Sequence, residues 1–212
     1  MQVALSLARR ALAYEWGMWR SLYLWTFRRP LTRDPDARTF GYASTLTPIF
    51  VGFIVVSAIE IPLLHLMLPW RTVQMIALAL GGYGPFWMIG LLASLRVHPH
   101  VVSRAGLRAR YGPTIDFTIP WDAVSTVRTR RRDLDRQRTV QLEHTGSGLI
   151  LNLAISKQNE VDVVLRQPRT VRLPRGGTEP ISQLRICADD PKALVAQSQR
   201  HLSGELAREA DR

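Results

Sequence analysis

Residues 46–95 read LTPIFVGFIVVSAIEIPLLHLMLPWRTVQMIALALGGYGPFWMIGLLASL. They form two apolar runs, 46–68 and 72–95, parted by Pro69, Trp70 and Arg71. At about 1.5 Å of rise per residue, a helix over either run crosses a hydrocarbon layer roughly 30 Å thick. The second run has no charged residue and the first has one, Glu60. A helix on a soluble core keeps one polar face, and neither run has one. The pattern predicts a transmembrane hairpin, with everything else attached to its two ends.

The flanks are very different. About 45 residues precede the hairpin and about 117 follow it, enough for one small domain with its own core. The formal net charge is +11, carried almost wholly by arginine. On a membrane protein a basic balance points first to anionic lipid head groups and second to nucleic acid. An arginine-rich codon bias is the plain alternative. The single cysteine, Cys187, allows no intrachain disulfide and reads as a small apolar strand residue. The N-terminus lacks the apolar core and small-residue cleavage site of a signal peptide, since Arg9 and Arg10 interrupt it.

Arginines set the expected orientation. Arg9, Arg10, Arg20, Arg28, Arg29, Arg33 and Arg38 precede the first span, and Arg96, Arg104, Arg108 and Arg110 follow the second. The turn between the spans has only Arg71. The positive-inside rule then places both termini in the cytoplasm of a bacterial inner-membrane, multi-pass protein.

Residues 1–45 read as an amphipathic interfacial helix and a linker. Leu12, Trp16, Trp19 and Tyr23 recur at spacings of 4, 3 and 4, on one helical face. Trp16, Trp19, Tyr23 and Trp25 are the expected interface anchors, because an indole or phenol satisfies both its ring and its polar atom at head-group depth. The alternative is a helix packed on the cytoplasmic domain. Pro30, Asp34, Pro35 and Asp36 make a polar link to the first span.

Inside the hairpin, Glu60, His65 and Tyr83 are the polar candidates. An ionisable group at membrane depth is costly and suggests function. If the first span enters at Leu46, Glu60 lies roughly 21 Å in. Returning along the second span, that height falls near residues 78–83, where Gly81 and Gly82 permit close approach and the Tyr83 hydroxyl could donate to Glu60. One reading is a proton- or ion-handling site in a small transporter or channel component. The other is a carboxyl that fixes the packing of two helices or of two protomers in a homo-oligomer. His65 at the outer end and His98 and His100 at the inner end are too far apart to share a metal.

From Arg96 onward the sequence turns to strands: 101–102, 107–111, 115–119, a run from Val124, 139–143, 149–155, 161–165, 170–173 and 181–187. Short strands with turn signals about every 8–12 residues mean an antiparallel sandwich or barrel. Asp190 suits an N-cap and Pro191 the first helical position, so a helix closes the domain at about residue 203, before a tail over 204–212.

The stretch PHVVSRAGLRARYGPTIDFTIPWDAVSTV resembles the opening of bacterial pleckstrin-homology-like (bPH) domains, and ADDPKALVAQSQRHL resembles their closing helix. The likeness covers about residues 98–203, and with the hairpin it resembles a group of actinobacterial two-span membrane proteins. It implies, over 96–203, a PH-like antiparallel split β-barrel of seven strands capped by a C-terminal helix; with the interfacial helix, the two-helix hairpin and the cytoplasmic orientation read above, the chain is expected to be a membrane protein of α+β class. It implies no activity, and the loop at 104–106 lacks the basic motif of phosphoinositide-binding relatives.

The densest charge is VRTRRRDLDRQRTV, with Arg128, Arg130, Arg131, Arg132, Arg136 and Arg138 against Asp133 and Asp135. Lying between two strands, it reads as an exposed hairpin tip. Guanidinium forks match phosphate geometry, so on a tethered domain the tip suits anionic lipid or a protein partner. Cross-strand ion pairs in solvent are the plain alternative. No aromatic residues interleave with these arginines, which argues against nucleic acid. There is no P-loop, dinucleotide-binding glycine motif, HExxH, CxxC or nucleophile elbow. The sequence therefore suggests a non-enzymatic scaffold or regulator with no cofactor and no metal.

Overall fold

The structure, a computed structural model, describes residues 2–28, 34, 36–133, 139–146, 148–155, 158–172 and 178–210. Arg29, Pro30, Arg33, Pro35, Asp135, Arg136 and Arg138 lie outside them.

Three helices come first: α1 (Gln2–Thr26), α2 (Thr47–Met67) and α3 (Arg71–Val97). α2 and α3 are long and apolar enough to cross a membrane. No residue of α2 is buried, and α3 is buried only at its C-terminal end, over Gly90 and Leu92 to Leu95. α2 packs on α3, where the Ile61 side chain sits on Gly81 closely enough that a Cβ there would lie 3.0 Å from Ile61 Cγ1. α1 packs on α3 from another side and also touches the sheet domain. Met18 covers Gly90, Trp19 stacks on Phe86 at 5.2 Å, and Gly17 lies against Pro113. A helix in that corner fits both sequence readings, since one side meets protein while Leu12, Trp16, Tyr23 and Phe27 stay exposed.

Among the described residues nine strands make two sheets. The first, in the order β1-β2-β3-β4, joins β1 (Arg38–Phe40), β2 (His100–Ser103), β3 (Gly106–Tyr111) and β4 (Ile115–Ile119), all antiparallel. The second has the order β5-β8-β9-β7-β6, from β5 (Val124–Asp133), β6 (Val140–Thr145), β7 (Gly148–Leu153), β8 (Gln158–Arg172) and β9 (Thr178–Ile186). Period-2 alternation sends Val161, Val163, Leu184 and Ile186 into the space between the sheets, against Leu107, Ala109 and Ile119 of the first. α4 (Pro191–Ala210) adds Leu194, Val195 and Leu202 to the same core, and Trp121 stacks on His201 at 5.6 Å. Asp190 caps α4 through the Ala193 amide at 2.9 Å, the role its position suggested.

Several expectations need correction. The β part is two sheets and not a closed barrel, and it is not wholly antiparallel, because β7 and β9 run parallel. The linker contributes β1, which pairs with β2 through Arg38–Val102 and Phe40–His100. Three residues are too short for a periodicity signal, so only the partner strand reveals it. The strands expected at 161–165 and 170–173 are, as far as Arg172, one strand, β8, with an irregularity between Val164 and Arg169 that resembles a turn in sequence; residue 173 lies outside the described residues. β5 and β6 are opposite edges of their sheet, so Arg128 to Arg132 are strand residues and not a hairpin tip. α4 continues to Ala210, since Gly204 is followed by strong helix formers.

Candidate functional site

The face of the five-stranded sheet turned away from the core carries a row of polar residues. Register aligns Gln141 with Asn152, Asn152 with Arg185, Arg185 with Asp162, and Asp162 with Arg128. The row crosses every strand from β6 to β5. Asn152, Arg185 and Asp162 are buried, as is the neighbouring Asn159. Arg185 donates from Nη1 to Glu143 Oε2 at 2.8 Å, and Asn159 donates to Asn152 Oδ1 at 3.1 Å.

Asp162 is different. Three guanidinium groups surround its fully buried carboxylate: Arg185 Nε at 3.6 Å from Oδ1, and Arg128 Nε and Arg132 Nε at 3.6 and 4.0 Å from Oδ2. Among the described residues neither carboxylate oxygen has a hydrogen-bond partner, nor do Arg132 Nε and Arg185 Nε. The charges attract at these separations but form no directional bond. Burying an ion without such bonds carries a desolvation penalty.

Beside this cluster runs the arginine edge. β5 is an outer strand, and Arg128, Arg130 and Arg131 are exposed while Arg132 is half-buried. Strand direction gives the edge its position. Asp133 pairs with Gln158 and Val140 with Leu153, so the end of β5 lies at the same end of the sheet as the ends of β7 and β9. That end continues into Ile155 and Cys187, which pack with Tyr42, Ala43, Leu46 and Leu95 from the ends of the helical hairpin. Arg132 therefore lies at the hairpin end of the sheet, two strands or about 10 Å to the side of β9.

The junction itself is dense in satisfied polar groups. The buried His100 ring accepts the Arg110 amide at Nδ1 (3.2 Å) and faces the Cys187 carbonyl from Nε2 (3.0 Å), which requires the neutral Nε2–H tautomer. Burial, only partly offset by that carbonyl, lowers its pKa to about 4. Tyr42 packs on His100 and Tyr111, and its hydroxyl accepts the Gly112 amide at 2.9 Å. Burial raises the Tyr42 pKa and lifts that of Cys187 to about 12, so neither ionises near neutrality. Asp189 accepts the Ser44 amide at 3.0 Å and its hydroxyl, and the Asp189 amide donates to Gly41 O at 2.7 Å. These bonds staple the chain entering α2 to the corner between β9 and α4.

The intramembrane candidates are not brought together. The Tyr83 hydroxyl donates to Glu15 of α1 at 3.1 Å and not to Glu60. Glu60 and His65 are both exposed on α2, and the His65 carbonyl accepts the Gln74 side chain. Of the aromatic anchors, Trp16, Tyr23 and Trp25 are exposed and Trp19 is half-buried against Phe86.

Asp162, Arg185, Asn152, Asn159 and Glu143 escaped the sequence reading. The alternation in Val161-Asp162-Val163 and Leu184-Arg185-Ile186 marks both charges as off the core face. Only register makes them neighbours. No family model, curated protein or solved structure matches this chain.

Proposed function

We propose that this is a non-enzymatic protein of the bacterial inner membrane, held by α2 and α3 with both termini in the cytoplasm, whose PH-like domain binds anionic lipid through the edge of β5. The observation that carries this reading is positional. The exposed arginines of β5 end at the hairpin end of the sheet, where they meet the head-group layer if α2 and α3 span the bilayer. The apolar surface supports the same placement. Among the described residues every exposed large hydrophobic side chain except Leu142 lies between Leu12 and Phe86, a patch suited to lipid rather than water. The outward aromatic residues of α1 then lie at the interface.

The test uses the full chain in an uncharged detergent, with native mass spectrometry counting retained phosphatidylglycerol against phosphatidylcholine. The wild type retains the anionic lipid preferentially. At about 1 kcal/mol per basic residue near a surface, the double variant R130Q/R131Q weakens that binding roughly thirtyfold. Equal retention of both lipids by the wild type removes the reading.

A further inference from the structure

We propose that Arg128 and Arg132, drawn to the buried carboxylate of Asp162, form a phosphomonoester site, and that Asp162 sets the threshold an anion must pass to occupy it. The proposal rests on the anionic-lipid reading above and names the headgroup class.

The geometry is that of an anion site already holding an internal anion. Asp162 lies 3.6 Å from Arg128 Nε and 4.0 Å from Arg132 Nε, and both its oxygens lack hydrogen-bond partners among the described residues. Arg185 forms the fixed wall behind it, with Nη1 bonded to Glu143 and directed at Asn152. Arg128 and Arg132 are movable. Their side chains are 51% and 32% exposed, and among the described residues β5 has no strand beyond it. Their forks can therefore turn outward to a ligand that offers more than Asp162 does.

What that ligand must offer follows from its charge. A phosphodiester brings one negative charge, no more than the carboxylate already in place. A phosphomonoester brings about −1.5 to −2 and three acceptor oxygens, which two guanidinium forks can engage bidentately. The cluster's positive excess also rewards the dianion more than the monoanion. Drawing the forks off Asp162 is a shared cost, and the monoester offsets it where the diester does not.

The test titrates the full chain in uncharged detergent with short-chain phosphatidate (a monoester), phosphatidylglycerol (a diester) and soluble glycerol phosphate, read by calorimetry. Wild type should bind phosphatidate about tenfold more tightly than phosphatidylglycerol, the effect of one further charge at a partly screened site. D162N, nearly isosteric, should tighten both about tenfold by removing the competing anion. R128Q/R132Q should abolish the preference. If D162N does not melt cooperatively, the arginine pair decides alone: a preference that survives R128Q/R132Q overturns the proposal. So does a folded D162N with unchanged or weaker binding. Equal, measurable wild-type affinities for the two lipids overturn the monoester site and leave anionic-lipid binding standing, whereas no binding of either overturns both. Displacement of phosphatidate by equimolar glycerol phosphate keeps the site and overturns its lipid source.

Discussion

The junction and the outer face of the five-stranded sheet are both rich in buried polar groups, and they treat them in opposite ways. At the junction, the buried Tyr42 and His100 and the exposed Asp189 have close partners, with hydrogen bonds of 2.7 to 3.2 Å holding the hairpin to the sheets. On the sheet face, Asp162 is as buried as Tyr42 and His100 yet stands 3.6 to 4.0 Å from its three arginines, with no hydrogen bond among the described residues. A satisfied buried network fixes a structure. An unsatisfied ion cluster contributes little to stability and leaves donors free to change partner. The contrast separates the bonds that hold the hairpin to the sheets from an ion cluster that forms no such bonds among the described residues.

The comparison can be broken hardest at Tyr42. Truncating this fully buried ring to alanine empties the seam and leaves the Gly112 amide unpaired, so Y42A should lower the unfolding free energy of the full chain by about 4 kcal/mol in chemical denaturation. A loss under about 1 kcal/mol would show that the seam does not hold the hairpin and the sheets together.

Acid is the next lever. His100 has a folded pKa of about 4 against 6.5 for the free side chain, so between these values the unfolded chain binds a proton that the folded chain refuses. Stability is therefore lost as pH falls from about 6.5 to about 4, by about 3 kcal/mol in all. Unfolding midpoints across that range should show the slope in the wild type and lose it in His100→Gln. An unchanged slope in the variant would assign it to other groups.

The smallest effect sharpens the other side. Arg130 is exposed on an edge strand, so Arg130→Gln should move stability by less than about 0.5 kcal/mol while still weakening anionic-lipid binding. A large stability loss there would make the edge structural and erase the distinction between the two regions.

Much of this is legible in the sequence. The two apolar runs announced two long helices because hydrophobicity is a property of composition alone. Strand periodicity found the elements at 101–102, 107–111 and 115–119, and the Asp190-Pro191 pair located the start of α4. The arginine run is visible as charge, but its setting is not. A stretch between two strands reads as a hairpin, whereas β5 and β6 lie on opposite edges. Depth alone matches Tyr83 to Glu60, whereas its hydroxyl donates to Glu15, far away in sequence.

What the sequence determined by itself is therefore local: which segments are apolar enough for a membrane, which alternate as strands, and where the charge is dense. These depend on neighbours within a turn or two of chain. The tertiary structure decided the rest. It made β1 a strand, placed the arginine edge at the hairpin end of the sheet, and set Asp162 among Arg128, Arg132 and Arg185. Each of those depends on which strand pairs with which and in what register, and pairing is a contest among distant segments that no local window records.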